Sequence, residues 1–271
     1  MQFRKPPVVE VSITVDFDPN SNKQKFDLNL ANEFLQAHRA EFPHQQFLQS
    51  RQVQLSEAFG TDLPKVTNQE VQIKAFRLWN EDRSHMLHLG DDTLSYHILR
   101  SDHSQPSYSV VRDALQPKLN FYEQLFHPRQ IRQMALHYLD IIDIPIPQSG
   151  RVEFSDYFAF NIDPPENPFG LITALNCQFQ TDCPEDLGPL IIEFAILPPA
   201  VEDSQIRFRV DWHKVCEKVN SLNSDQVWNR LEGVHDYLRR CFQTALTPRT
   251  LALFEPIEQS DIENPTRVQR M

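Results

Sequence analysis

Residues 130–147 read QIRQMALHYLDIIDIPIP. The run is densely apolar, yet it carries Arg132, His137, Asp140 and Asp143. Strands buried on both faces give near-continuous apolar runs, whereas half-exposed strands alternate. The stretch is therefore read as a central strand, the spine of a sheet. It bears no reaction signature, so the sequence speaks first about fold.

Upstream, Tyr108, Val111, Leu115, Leu119, Tyr122 and Leu125 recur by threes and fours, giving one apolar stripe on a long helix. Pro117 lies inside it and predicts a kink or a separate first turn. His127-Pro128 then ends the helix and delivers the chain into the strand. Before the helix, segments 71–79, 86–89 and 94–99 read as short strands separated by Asn80-Glu81-Asp82 and Gly90-Asp91-Asp92, an antiparallel meander. The Gln-rich segment 44–70 has weak periodicity and is read as an irregular connection holding one short strand.

At the N-terminal end, Val9, Val11, Ile13, Val15 and Phe17 alternate with polar residues, the period of a strand with one buried face. Pro6-Pro7 sets its start, since prolines cannot donate to a ladder. Asp27 can cap a first helix whose Leu30, Phe34, Leu35 and His38 share a face.

Downstream, residues 145–170 carry five prolines, a linker composition, with Phe154, Tyr157, Phe158 and Phe160 to dock it. Segments 171–180, 190–197 and 206–212 read as strands, followed by a helix with Val227, Leu231, Val234, Leu238 and Cys241 in a stripe. Thr247-Pro248 opens a last short helix. Three strands and a long helix thus occur twice. The predicted fold class is α+β, with antiparallel sheets each covered by a long helix and two similar lobes. The predicted organisation is an N-terminal lobe over 1–150, a C-terminal lobe over 151–256 and a tail over 257–271.

Charge and cysteine usage limit the function. With 26 Lys+Arg against 37 Asp+Glu the net charge is −11, which opposes attraction to phosphate backbones and anionic membrane surfaces. Direct nucleic-acid binding is not expected, and a protein partner, including a second copy in a homodimer, is. Cys177, Cys183, Cys216 and Cys241 show no CxxC spacing, so neither a zinc site nor a disulfide framework is signalled. The opening MQFRKPPVVEVSITVDF alternates instead of forming an apolar signal core, and no run long enough to span a bilayer follows. A cytoplasmic protein without a membrane segment is expected.

Three stretches, PPVVEVSITVDF, FYEQLFHPRQIRQMALHYLDIIDIPIP and HDYLRRCFQTALTPRTLALFE, together resemble a sporadically distributed, uncharacterised prokaryotic family of about this length. Pro6, Pro7 and Glu10 match that family's first-strand pattern, Leu136 and Tyr138 match half of its Leu-Arg-Tyr-x-Asn central strand, and Phe242 with Leu246-Thr247 approximates its C-terminal pattern. His137 stands where arginine is usual and Asp140 where asparagine is usual. The resemblance implies a fold and, by its patchy distribution, a setting like phage defence or toxin-antitoxin modules.

Among polar candidates, His137 and Asp140 are three apart on a strand and point to opposite faces, whereas Asp211 and His213 share one. Tyr138 adds a hydroxyl beside them. His137, Tyr138, Asp140, Asp211 and His213 are the candidate binding residues. His85, His88 and His97 on the meander invite a zinc reading that opposite faces weaken. With 6 Gly there is no phosphate-cradling loop, and neither GxSxG nor HExxH occurs. No catalytic residue, metal ligand or cofactor is assigned. The leading expectation is a non-catalytic interaction or regulatory protein of a prokaryotic defence or toxin-antitoxin system. The alternatives are a small-ligand-binding α+β module with an aromatic-lined pocket between helix and sheet, and a metal-dependent hydrolase or nuclease using Asp211, His213 or the His137 region.

Overall fold

A computed structural model describes residues 3–18, 27–55, 66–150, 152–160, 175–183, 188–198, 205–221 and 224–257. The strands are β1 (Val8–Asp18), β2 (His44–Leu55), β3 (Val66–Trp79), β4 (His85–Gly90), β5 (Thr93–Leu99), β6 (Gln130–Pro145), β7 (Asn176–Asp182), β8 (Pro189–Leu197) and β9 (Gln205–Ser221). The helices are α1 (Leu28–His38), α2 (Tyr108–Phe126), α3 (Ser224–Ala245) and α4 (Pro248–Leu253). All nine strands form a single sheet in the order β2-β3-β4-β5-β1-β6-β9-β8-β7. This overturns the expected pair of sheets, each covered by a long helix. Both three-strand runs exist, but β1 and β6 lie side by side between them and make one sheet of the whole.

The Gln-rich segment 44–70 accounts for part of that difference. It holds β2 and the start of β3, paired antiparallel from His44↔Trp79 to Leu55↔Val66 with register shifts at Leu48/Gln49 and Gln54/Leu55. Each shift inserts an extra residue in one strand and resets which side chains share a face. A two-residue period broken in this way, in a polar sequence, leaves little alternation to read.

The chain divides into two compact units: one of Val11–Ala135 and Cys216–Val227, the other of Met1–Glu10, Leu136–Val215 and Trp228–Met271. In the first, Val11, Ile13, Val15 and Phe17 are buried, as the alternation of β1 requires. Asp27 caps α1, its Oδ1 accepting from the Asn29 and Leu30 amides at 2.9 and 3.3 Å. Ser107 caps α2, which runs through Pro117 and buries Val111, Leu115, Leu119 and Tyr122. Tyr122 stacks on both Phe17 and Phe126 with centroids 4.5 Å away. His127, at φ 47°, takes the left-handed conformation that ends the helix.

In the second unit, β7, β8 and β9 pair antiparallel in unbroken register, with Glu193 opposite Asp211 and Ile191 opposite His213. The proline-rich connection docks through aromatics, as its composition predicts: Phe158 lies 5.0 Å from Phe194 and 5.2 Å from Phe208. A 3-10 turn at Phe154–Asp156 precedes it. Thr247 caps α4 ahead of Pro248. Within β6, Met134, Ala135 and Leu136 are buried in succession. His137, Tyr138 and Leu139 are half-buried, and from Leu139 onward burial alternates, with Asp140, Ile142 and Ile144 inside and Ile141 and Asp143 half-buried. The predicted tail over 257–271 lies, but for its first residue, outside the described residues. No helix of the described residues is long and apolar enough to cross a membrane.

Candidate functional site

β6 and β9 are neighbours in the sheet, and their two-residue period sorts the five candidate residues onto its two faces. His137, Asp211 and His213 come together on one; Tyr138 and Asp140 lie on the other. The opposition of His137 and Asp140 and the shared face of Asp211 and His213 were legible in the sequence. The meeting of His137 with Asp211 required the strand order.

On the first face His137 Nε2 lies 3.0 Å from Asp211 Oδ1, and the His137 and His213 rings meet edge to face at 6.1 Å. The other Asp211 oxygen lies 2.9 Å from Arg209 Nε. Arg209 also approaches Glu193 at 3.5 Å, and Arg207 donates twice to Asp143, at 2.7 and 3.2 Å. Burial lowers the pKa of His213, and neighbouring His137 lowers it further against the pull of Glu193 and Asp211. Asp211 is thus flanked by a histidine and an arginine in a ladder of opposite charges. Among the described residues no group of three or more His, Cys, Asp or Glu is placed to hold a metal ion.

The meander histidines do not converge. His85 Nδ1 meets the Tyr96 hydroxyl at 2.8 Å, and His97 Nε2 meets Ser95 Oγ at 2.9 Å. His88 pairs across the ladder with Ser95. Burial, helped by Arg77 and His97, holds its pKa down at about 4.

The second face carries a cavity of about 150 Å³. Its floor is Tyr138 and Asp140 from β6 with Trp212 from β9, and its roof is His235, Leu238, Arg239 and Phe242 from α3. Phe3, Pro6, Pro7 and Val8 close one side. That N-terminal arm is fixed at several points. The Arg4 and Lys5 amides donate to Glu255 and Phe254 carbonyls at 3.0 Å, and the Ile141 amide donates to Pro7 O at 3.0 Å. Phe3 packs edge-on against Phe242 and Phe254 at 6.4 and 5.5 Å. Lys5 Nζ reaches Glu255 at 2.5 Å.

Two polar contacts organise the cavity wall. Asp140 is 1% exposed, and its Oδ2 accepts from the Trp212 indole N–H at 2.8 Å. The Tyr138 hydroxyl lies 2.6 Å from His235 Nδ1, with the two rings stacked at 6.1 Å. A buried carboxylate is costly unless hydrogen-bonded, so the indole N–H both stabilises Asp140 and fixes its direction. The sequence reading missed Phe3, Trp212, His235, Arg239 and Phe242. One signal pointed their way: an aspartate inside an apolar strand demands a buried donor, and tryptophan is a donor that survives burial. Which of the chain's three tryptophans served was not written in the sequence.

The chain matches no known protein-family profile and no curated protein. The cavity and its chemistry therefore carry the functional argument.

Proposed function

We propose that this protein is a small-ligand-binding module whose site is the cavity between α3, the N-terminal arm and strands β6 and β9. One observation carries the reading: a mostly aromatic and aliphatic hollow with a few polar groups, Asp140, Tyr138 and His235, converging on its wall. Binding sites for small molecules have this composition, apolar for affinity with sparse polar groups for orientation. The setting we assign is cytoplasmic, in keeping with four cysteines of which none forms a disulfide.

A thermal-shift screen of single-ring compounds against the wild type and Leu238→Phe tests it. Leu238 is 3% exposed and lines the hollow, so a larger side chain fills it. Ligands should raise the wild-type melting temperature and lose that effect in the variant, because stabilisation follows occupancy. Compounds that stabilise both proteins equally would place binding elsewhere and contradict the proposal.

A second reading, the interaction or regulatory role suggested by composition and resemblance, draws on β7. This strand ends the sheet order, nearly all of its residues are exposed, and Phe179 is 37% exposed. Strand ends of sheets offer unpaired backbone to partners. Native purification from the host addresses it: co-purification of a protein that β7 substitutions release supports the role, and recovery of the chain alone opposes it. The hydrolase reading gains nothing from Asp211, which His137 and Arg209 already engage.

A further inference from the structure

We propose that the ligand of this cavity is uncharged and largely hydrocarbon, a body of about one aromatic ring. The inference rests on the binding-module reading above and adds the chemical class and size of what binds.

Class follows from what the wall offers. Phe3, Pro6, Pro7, Val8, Leu238 and Phe242 contribute side chains made only of carbon. Such surface favours an apolar guest, which leaves water and gains close contacts at once. The polar groups of the wall are turned to one another. Asp140 accepts the Trp212 indole N–H at 2.8 Å, and that is not its only interaction. The Tyr138 hydroxyl and His235 Nδ1 meet at 2.6 Å, and both residues have further interactions as well. Trp212 holds a single side-chain N–H, and Asp140 takes it. These groups brace β6 against β9 and α3, and a guest is left with rings and aliphatic carbon.

A charged guest gains little in such a hollow. An ion must shed its water to enter, and its burial without a dedicated partner is costly. Reaching Asp140 or His235 would mean competing with contacts already made inside the protein. Arg239 also belongs to the lining, but it is exposed. An ion pair formed in water contributes little, so Arg239 does not select an anion for the interior. Size follows from volume. A dry apolar cavity of about 150 Å³ holds a benzene-sized molecule, and the hollow here has that volume.

Isothermal titration of the full chain with toluene, benzylammonium and benzoate varies charge while holding the ring constant. Toluene should bind at least about tenfold tighter than either ion, and Leu238→Phe should abolish its binding. The comparison of compounds needs only the wild-type chain, and Val8→Phe fills the hollow from the arm side should Leu238→Phe fold poorly. Toluene failing to bind, or either ion binding as tightly, would overturn the uncharged-ligand assignment. The binding-module reading survives that result if any compound of the thermal-shift screen separates wild type from Leu238→Phe, and falls with it if none does. Toluene binding that is unchanged in the filled variants would lie outside the hollow and overturn both.

Discussion

The indole N–H of Trp212 donates to Asp140 Oδ2 at 2.8 Å, joining β9 to β6 beneath the cavity. Trp212 is 3% and Asp140 1% exposed, so neither partner has water to fall back on. Trp212→Phe deletes the donor and should cost about 2 kcal/mol in chemical denaturation, the penalty of a buried acceptor losing one of its hydrogen bonds. Asp140→Asn combined with Trp212→Phe should cost less than the sum of the two single changes, since one contact is being removed twice. Strict additivity would show that the bond does not hold the carboxylate.

Lys118 makes an asymmetric pair with Glu41. The ammonium is 7% exposed in its side chain against 49% for the carboxylate, and Nζ lies 2.9 Å from both Glu41 oxygens. It also sits 5.5 Å from the Phe42 ring and 5.2 Å from that of Tyr96. Glu41→Gln leaves a buried ammonium without its counter-charge and should destabilise by about 2 kcal/mol, whereas Lys118→Met keeps volume among aromatic neighbours and should cost under about 1 kcal/mol. Urea titrations of both variants decide the order; a larger loss in Lys118→Met contradicts it.

Stability should fall in mild acid. Burial lowers the pKa of His38, His85, His88 and His213, His88 furthest, to about 4. A histidine whose folded pKa lies below its ordinary 6.5 is protonated first in the unfolded chain. Its contribution to folding is therefore lost as pH drops from 6.5 towards 4. For His88, allowing for solvent screening, the loss is about 1 kcal/mol. His88→Gln should flatten the stability profile over that interval while leaving its neutral end comparatively unaltered. A wild-type profile that is level there would contradict the account.

Pro117 lies exposed inside α2, which runs through it without a break. Its ring removes the amide that would donate to the Asp113 carbonyl. The sequence predicted a kink or a separate turn; there is no separate turn, since one helix spans Tyr108–Phe126 with the proline on its solvent side. Pro117→Ala should therefore stabilise by about 1 kcal/mol, less than the full helix-interior penalty because proline also restricts the unfolded chain. A lower melting temperature would mean that the proline shapes α2 in a way the alanine cannot.

Local periodicity made much of this architecture legible. The alternation of β1, the cap at Asp27, the stripe on α2, the Thr247-Pro248 start of α4 and the strand character of residues 130–145 all follow from spacing within one element. What failed was pairing between elements. Whether β1 joins β6 is settled by long-range hydrogen bonding, for which Val9 to Phe17 carry no local mark, and the two-sheet expectation fell there. β2 was read only as one short strand within an irregular segment, because glutamines show no buried face and two register shifts interrupt its period. At the site, alternation separated His137 from Asp140 correctly. The partners Asp211, Trp212 and His235 lie 74, 72 and 97 residues away along the chain, beyond any spacing rule.

The central claim is that a ligand enters beside Trp212 and Asp140, and the indole N–H of Trp212 reports on that place directly. The chain has three tryptophans, Trp79, Trp212 and Trp228, so a proton–nitrogen correlation spectrum resolves each indole once Trp212→Phe identifies its own signal. Titration with a single-ring compound that stabilises the wild type but not Leu238→Phe should move the Trp212 indole resonance progressively and saturably while those of Trp79 and Trp228 stay in place. A Trp212 signal that remains fixed through the titration would contradict the claim.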